Sequence, residues 1–374
     1  MPRVLLLCEY PTLNGGEQSL LAVLPHLISA GYAFNALAPP EGPLADAFAA
    51  IGVRVLPLNA HNNAGVRATQ SEMRSQIAMA IDAVRPNLVH ANSLAMGRLA
   101  GPVAVDLNVA SIGHIRDIIG LSAQAVADLN YNRRLIAVSQ AARDYHIAQG
   151  IDAARTHVVY NGVDIARFAK RAATGWLHEE LGLPPGAQLI GAIGQLVLRK
   201  GHDVLAAAAT ALAARHPHAR YVFVGSRFSE KAEAYAHEAA LRAAFSTGPL
   251  AGRGHFLGVR SDVAKLLAEL TMLVHPARQE PLGRVLLEAA AAGVPVVATD
   301  VGGTREIFPD GAAQIVPPGD AVALSEAIEL LLGDAELRQQ TAATAAAHAR
   351  REFNSARTAE NLAAHYAAMV DEAK

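Results

Sequence analysis

The chain has 374 residues, 52% of them hydrophobic and 18% charged, and a formal net charge of -2. That length exceeds one comfortable core and predicts two domains, and the composition builds buried cores rather than disorder. The balanced charge and short Lys/Arg runs exclude a global basic field for nucleic acid. The single cysteine, Cys8, excludes an intrachain disulfide framework, and no stretch of about 20 uncharged apolar residues predicts a membrane span.

Residues 4–8 form an apolar run that predicts a buried strand, with Cys8 as part of it rather than a reactive thiol. Asn14-Gly15-Gly16 breaks the run. Residues 17–29 then show helical spacing through Leu20, Leu21, Leu24, Leu27 and Ile28. Further strands are expected at 33–38, 53–58, 88–91, 109–115 and 135–138, with helical segments between them. A second half repeats the scheme. Its strands are expected at 189–193, 221–224, 255–257, 272–274 and 294–298, and its helices near 201–214, 230–244, 262–270, 284–292 and 321–332. Residues 161–185 read as a linker leading into a helix. The Ala-rich tail from Glu336, anchored by Phe353, Leu362, Tyr366 and Met369, reads as packed helices.

Strand–helix alternation of this kind predicts an α/β fold with two doubly wound parallel sheets of Rossmann type. The expected divisions are 1–165, 166–352, and a C-terminal segment 353–374 that returns to the first domain. Ligands of such sheets bind beyond the carboxyl ends of the strands, so facing domains create an interdomain cleft there. The motifs are therefore sought in loops after strands and at helix starts.

The strongest segment is Glu280-Pro-Leu-Gly-Arg-Val-Leu-Leu-Glu288. Glu280 follows a strand, and Gly283 opens a helix whose free N–H groups make a seat for a pyrophosphate. Glu288 lies among Val285, Leu286, Leu287 and Ala289, where a carboxylate is costly unless it receives hydrogen bonds. Sugar hydroxyls would supply them, and an i,i+4 pair with Arg284 is the competing reading. A second segment, Gly194-Gln195 with Arg199-Lys200-Gly201-His202, follows a strand and precedes a helix. Its cations suit a diphosphate that gains charge as a bond to it breaks, and a solvated basic pair is the alternative.

These residues resemble family 4 of the retaining glycosyltransferases, which have the GT-B fold. The E-x7-E spacing of Glu280 and Glu288 matches, as does the run from Glu288 through Gly293-Val-Pro-Val-Val to Gly302-Gly303 and Glu306. The resemblance covers nearly the whole chain. It implies that Glu280 contacts hydroxyls of the donor sugar and Glu288 the ribose of the nucleotide. It also implies that Lys200 and Arg199 bind the diphosphate. In one position the chain departs from the pattern: Gln195 stands where the family usually has Arg, bringing a hydrogen-bond donor without charge.

In the first half, Asn14-Gly15-Gly16-Glu17 resembles the family's glycine-rich loop, although a simple chain reversal would look the same. It lacks a G-x-G-x-x-G fingerprint, which argues against an NAD dehydrogenase. His114, in His114-Ile115-Arg116-Asp117, corresponds to a family histidine at a strand end that hydrogen-bonds the reacting sugar; a structural histidine is the alternative. His90 is evenly balanced, and Asp117 suits either an acceptor-side role or pairing with Arg116. The loop at Gly258-Val259 is expected to hold the nucleobase, and Glu306 is either at the site rim or a helix cap.

The implied site is thus His114, Lys200 and Glu280 for catalysis, with Gly15, Gly16, Gln195, Arg199, Lys200, Val259, Glu280, Leu282, Gly283, Arg284 and Glu288 for the donor. No Asp-x-Asp or His/Cys ligand set is present, so no metal and no cofactor are expected beyond the nucleotide-sugar substrate, UDP- or GDP-linked. The expected partner is a hydroxyl-bearing acceptor: a saccharide, a lipid-linked saccharide or a small molecule. No nucleic acid is expected, and the location should be cytoplasmic, with peripheral contact at the inner face of a membrane left open. The competing functions are a GT-B epimerase or hydrolase and a catalytically degenerate sugar-nucleotide binder.

Overall fold

The computed structural model describes residues 1–61 and 65–371. Residues 372–374, the end of the expected C-terminal segment, lie outside that range. The chain divides into two compact units. One holds Met1–Gly162 and the segment from Phe353 onward, and the other holds Val163–Glu352.

The first unit is built on seven parallel strands: β1 (Arg3–Leu7), β2 (Ala33–Ala38), β3 (Arg54–Pro57), β4 (Leu88–Ala91), β5 (Ala110–Ile115), β6 (Arg134–Ala137) and β7 (Thr156–Val158). Their order is β3-β2-β1-β4-β5-β6-β7. A parallel sheet is covered on both faces, so its central strands are apolar throughout. Val4, Leu5, Leu6 and Leu7 are each at most 1% exposed. Because side chains alternate, Val4 and Leu6 join a core with Leu20, Leu24, Leu362, Tyr366 and Met369, while Leu5 and Leu7 join one with Met73, Ile77, Met96 and Ala100. The helix Ser355–Asp371 therefore lies on the same face of this sheet as the helix Gly15–Ser29.

The second unit has six parallel strands: β8 (Gln188–Ile193), β9 (Ala219–Val224), β10 (Gly254–Phe256), β11 (Met272–His275), β12 (Val296–Thr299) and β13 (Gln314–Val316). Their order is β10-β9-β8-β11-β12-β13. In both sheets the chain winds outward from the first strand, then returns to wind the other way. The reversal lies between β1 and β4 in one and between β8 and β11 in the other. Those two crevices are where an open α/β sheet takes its ligand.

The expected α/β class with two Rossmann-like parallel sheets is what the chain forms. Strand ends differ from expectation by a residue or two, and β7 and β13 were not expected. Both are three-residue edge strands, Thr-His-Val and Gln-Ile-Val, too short and too polar to show a period. Residues 161–185 contain only a short helix, Trp176–Glu180. No helix among the described residues is long and apolar enough to cross a membrane.

Candidate active site

The crevice of the second sheet is bordered by the loops after β8 and β11. The first carries Gly194 to Gly201, the second Pro276 to Gly283. They are locked together at Gly201, which has φ +69 and whose added Cβ would lie 1.9 Å from the carbonyl oxygen of Pro276. Gly201→Ala should therefore destabilise this unit. Left-handed backbone alone costs about 1–3 kcal/mol for a non-glycine residue, and here a backbone clash adds to it. A denaturant midpoint equal to wild type would sink this account of the loop pair.

The junction places Lys200, at the end of a 3-10 turn (Leu198–Lys200), against Glu280. Its ammonium donates to Glu280 Oε2. The same oxygen lies 3.0 Å from His275 Nε2. Glu280 and His275 are buried and Lys200 is largely shielded: their side chains are 9%, 4% and 14% exposed. Burial alone would push the Glu280 carboxyl up, but Lys200 and His275 together hold it well below the usual carboxylate range. Burial, followed by the charge of Lys200, lowers the pKa of His275 against the pull of Glu280. His275 is thus a neutral ring that must carry its proton on Nε2 to face a carboxylate. It ends β11 and went unnoticed in the sequence, because it closes an apolar run that reads simply as strand.

Beside this cluster the helix Arg284–Ala292 begins. Gly283, at φ +90, opens it without any side-chain cap, and a Cβ there would stand 3.2 Å from Glu280 Cγ and 2.8 Å from Leu286 Cδ1. An uncapped helix start presents free N–H groups and the positive end of the helix dipole. Leu282, 1% exposed, anchors the turn.

Glu288 is buried in the next turn and takes the i,i+4 partner that the sequence offered, Arg284, whose Nε lies 2.7 Å from Oε1. Burial raises the Glu288 pKa, tempered by Arg284 and Arg167. Arg199 is exposed and donates to the backbone oxygen of Gln279 at 3.3 Å, whereas the side chain of Val259 stands 66% exposed after β10. Among the described residues no group of three or more His, Cys, Asp or Glu side chains is placed to hold a metal ion.

In the first unit, Gly15 and Gly16 open the helix Gly15–Ser29 directly after the β1 loop, and Asn14 gives no side-chain cap. Arg116 follows β5 and lies under this start: a Cβ on Gly16 would be 3.1 Å from Arg116 Cδ. The guanidinium donates to the Asn92 backbone and side-chain oxygens at 3.0 and 2.8 Å, to Asn161 Oδ1 at 2.7 Å, and to His114 Nδ1 at 3.1 Å. These partners are all neutral, so pairing of Arg116 with Asp117 is not what holds it. Asp117 is exposed. His114, 5% exposed, has a buried Nε2 without a hydrogen-bond partner among the described residues.

Two Rossmann-type units, each with a glycine-opened helix at its sheet's reversal point, give this chain the fold of the GT-B glycosyltransferases among solved structures. Residues 13–167 match the family described as Glycosyltransferase Family 4, and residues 177–348 match Glycosyl transferases group 1. The chain belongs to the family 4 glycosyltransferases. It is 31% identical over 246 residues to a D-inositol 3-phosphate glycosyltransferase of Nocardia farcinica, an alignment covering 64% of this chain and only about half (53%) of that relative. It is 28% identical over 333 residues to a GDP-mannose-dependent alpha-mannosyltransferase of Mycobacterium tuberculosis, covering 83% of this chain and 82% of the relative. Anabaena HepE, solved in complex with UDP-glucose, shares the fold at a TM-score of 0.85 and 22% identity, over 98% of this chain and 99% of HepE.

Proposed function

We propose that this glycosyltransferase moves a hexose-type sugar from a UDP- or GDP-sugar to a hydroxyl of a saccharide, lipid-linked saccharide or small molecule. Transfer retains the anomeric configuration, uses no metal, and serves the building of cell-envelope polysaccharide, glycolipid or another glycoconjugate. The observation that carries this reading is the buried Lys200–Glu280–His275 cluster beside the uncapped start of the helix Arg284–Ala292.

Chemically, the leaving nucleoside diphosphate gains negative charge as the glycosidic bond breaks through an oxocarbenium-like transition state. Lys200 and the N–H groups after Gly283 stabilise that charge in a site fixed beforehand, with Gln195 and Arg199 contributing hydrogen bonds. Lys200 and His275 both engage Oε2 of Glu280, which leaves Oε1 to accept from sugar hydroxyls. Arg284 engages Oε1 of Glu288, which leaves Oε2 to accept from ribose. His114 donates a hydrogen bond from its Nε2–H to a hydroxyl oxygen of the sugar. The departing phosphate takes the acceptor's proton on the same face, so no side-chain base is required. Gly15, Gly16 and Val259 border the ligand through their backbone.

UDP-glucose and GDP-mannose head the donor screen, because HepE was solved with the one and a relative depends on the other. A donor at about 100 times its Kd should stabilise the protein by about 2.7 kcal/mol, a readily visible melting shift. The donor so found should be turned over in the presence of EDTA, with product NMR showing the donor's own anomeric configuration. Glu280→Ala should abolish that turnover. An inverted product, a rate lost to EDTA, or full activity in Glu280→Ala would each count against the corresponding part of the proposal.

A further inference from the structure

His114 is joined to two buried groups that this mechanism does not use. His90, on β4, is fully buried, and its Nε2 lies 3.1 Å from His114 Nδ1. The ring centroids are 5.3 Å apart, so the 3.1 Å N···N contact lies nearly along the line joining the two rings, as a ring-to-ring N–H···N bond requires. On its far side, His90 Nδ1 lies 2.5 Å from the hydroxyl of Tyr366, fully buried on the helix Ser355–Asp371. The three side chains make a continuous polar line from the C-terminal helix to the end of β5, across 276 residues of sequence between Tyr366 and His90.

Arg116 sets the direction of every proton in that line. A guanidinium has only donors, so its 3.1 Å contact makes His114 Nδ1 an acceptor. His90 Nε2 faces the same lone pair and must therefore be an N–H. Neutral His90 then has a lone pair on Nδ1, which the Tyr366 hydroxyl fills by donating. Neutral His114, accepting twice on Nδ1, carries its proton on Nε2, the buried atom without a partner.

We infer that Tyr366 and His90 are positioning residues of the transfer reaction: with Arg116 they fix His114 in the Nε2–H tautomer and polarise that bond as a donor toward the substrate. The inference rests on the proposed contact of His114 with the sugar. It assigns the C-terminal helix a part in the chemistry besides its packing. Burial, with the neighbouring Arg116 charge, depresses both imidazole pKa values, His90 to about 3 and His114 well below its usual range, which keeps both rings neutral as the line demands. Hydrogen bonds that run head to tail also reinforce one another.

The test is carried out on the full chain. Long-range 1H–15N spectra of protein labelled in its imidazoles should show His90 and His114 both protonated on Nε2 alone and unchanged between pH 8 and 5.5. A His114 proton on Nδ1, or a His114 that titrates in that window, overturns the assignment, and this arm needs no turnover. The second arm follows turnover of UDP-glucose and GDP-mannose. His90→Met removes both the donor and the acceptor and should lower kcat by about three- to tenfold, the value of one hydrogen bond, with KM held. His90→Gln can accept from Tyr366 and donate to His114, and it should restore kcat. Equal kcat in His90→Met, His90→Gln and wild type would make the line merely structural. If His114→Ala is also fully active, it is the sugar contact of His114 that fails, a separate result from the tautomer spectra.

Discussion

Lys200→Ala is expected to lower kcat/KM by about 10²- to 10³-fold, the range seen when one preorganised donor to a developing charge is removed. The same change strands Glu280 in the interior with His275 as the remaining side-chain partner among the described residues, and breaking a buried ion pair from one side destabilises by about 3–5 kcal/mol. Lost activity and lost stability would then arrive together, and neither alone would show what Lys200 does. The double variant Lys200→Met/Glu280→Gln separates them. It removes both charges and leaves groups of similar volume, an exchange that is close to neutral for stability in comparable buried pairs. The expected result is a melting temperature near wild type, with activity still at the level of the single variant or below. If the double variant recovers activity along with stability, the pair is a structural strut and the charge stabilisation lies elsewhere. Lys200→Arg is a finer probe. It keeps the charge but brings a planar fork into a site fitted to a compact ammonium, so intermediate activity is expected.

The two partners of that pair were each visible in the sequence; their pairing was not. Lys200 and Glu280 each follow an apolar run and precede a helix, the placement that an α/β sheet gives its ligand loops. What joins them is the order of the strands: β8 and β11 become neighbours only because the chain winds out to β10 and then returns. No local period records that return. The helix Arg284–Ala292 was legible to the residue because Gly283 and Gly293 mark its ends, both in the left-handed region. The Arg284–Glu288 pair was legible too, since four residues of separation is one helical face. His275 was obscured by the strand that it ends, and His90 could be singled out but not assigned, because a polar residue inside an apolar run gives no sign of which neighbour satisfies it. Tyr366 read correctly as a core anchor of the tail. Its hydroxyl, the part with chemistry, depended on a contact that only the packed sheet provides.

Acidification should unfold this protein well above the range where carboxylates titrate. Four buried histidines, His90, His114, His202 and His275, have folded-state pKa values below the ordinary value, chiefly through burial, and for His90 and His202 the value is about 3. The charged groups acting on His202 are His237, His275 and Lys200, which lower it further, and Asp203, which opposes them; His90 faces Arg116. Below about pH 6.5 the unfolded chain takes up protons that the folded one refuses, so stability is full above that pH and falls as pH drops toward 3. Each such histidine contributes a slope that rises toward about 1.4 kcal/mol per pH unit as the pH falls below 6.5, so His90 and His202 alone should remove about 3 kcal/mol between pH 6.5 and 5. That is a large share of an ordinary domain's stability of about 5–15 kcal/mol. Glu288, Glu9 and Glu17 act in the opposite sense, since their raised pKa values let the folded state bind a proton early, but they are outnumbered by the lowered histidines, which also include His146, His157, His237, His255 and His365. The check is a series of denaturant unfolding curves from pH 7.5 to 5. His202→Leu gives the control: His202 Nδ1 is buried without a partner among the described residues, so the apolar replacement leaves no acceptor stranded there. This variant should gain on wild type as the pH falls, its slope below pH 6 smaller by about one proton. Stability that is flat between pH 7 and 5, or a His202→Leu slope equal to wild type, would show that these rings reach solvent and protonate in the folded chain.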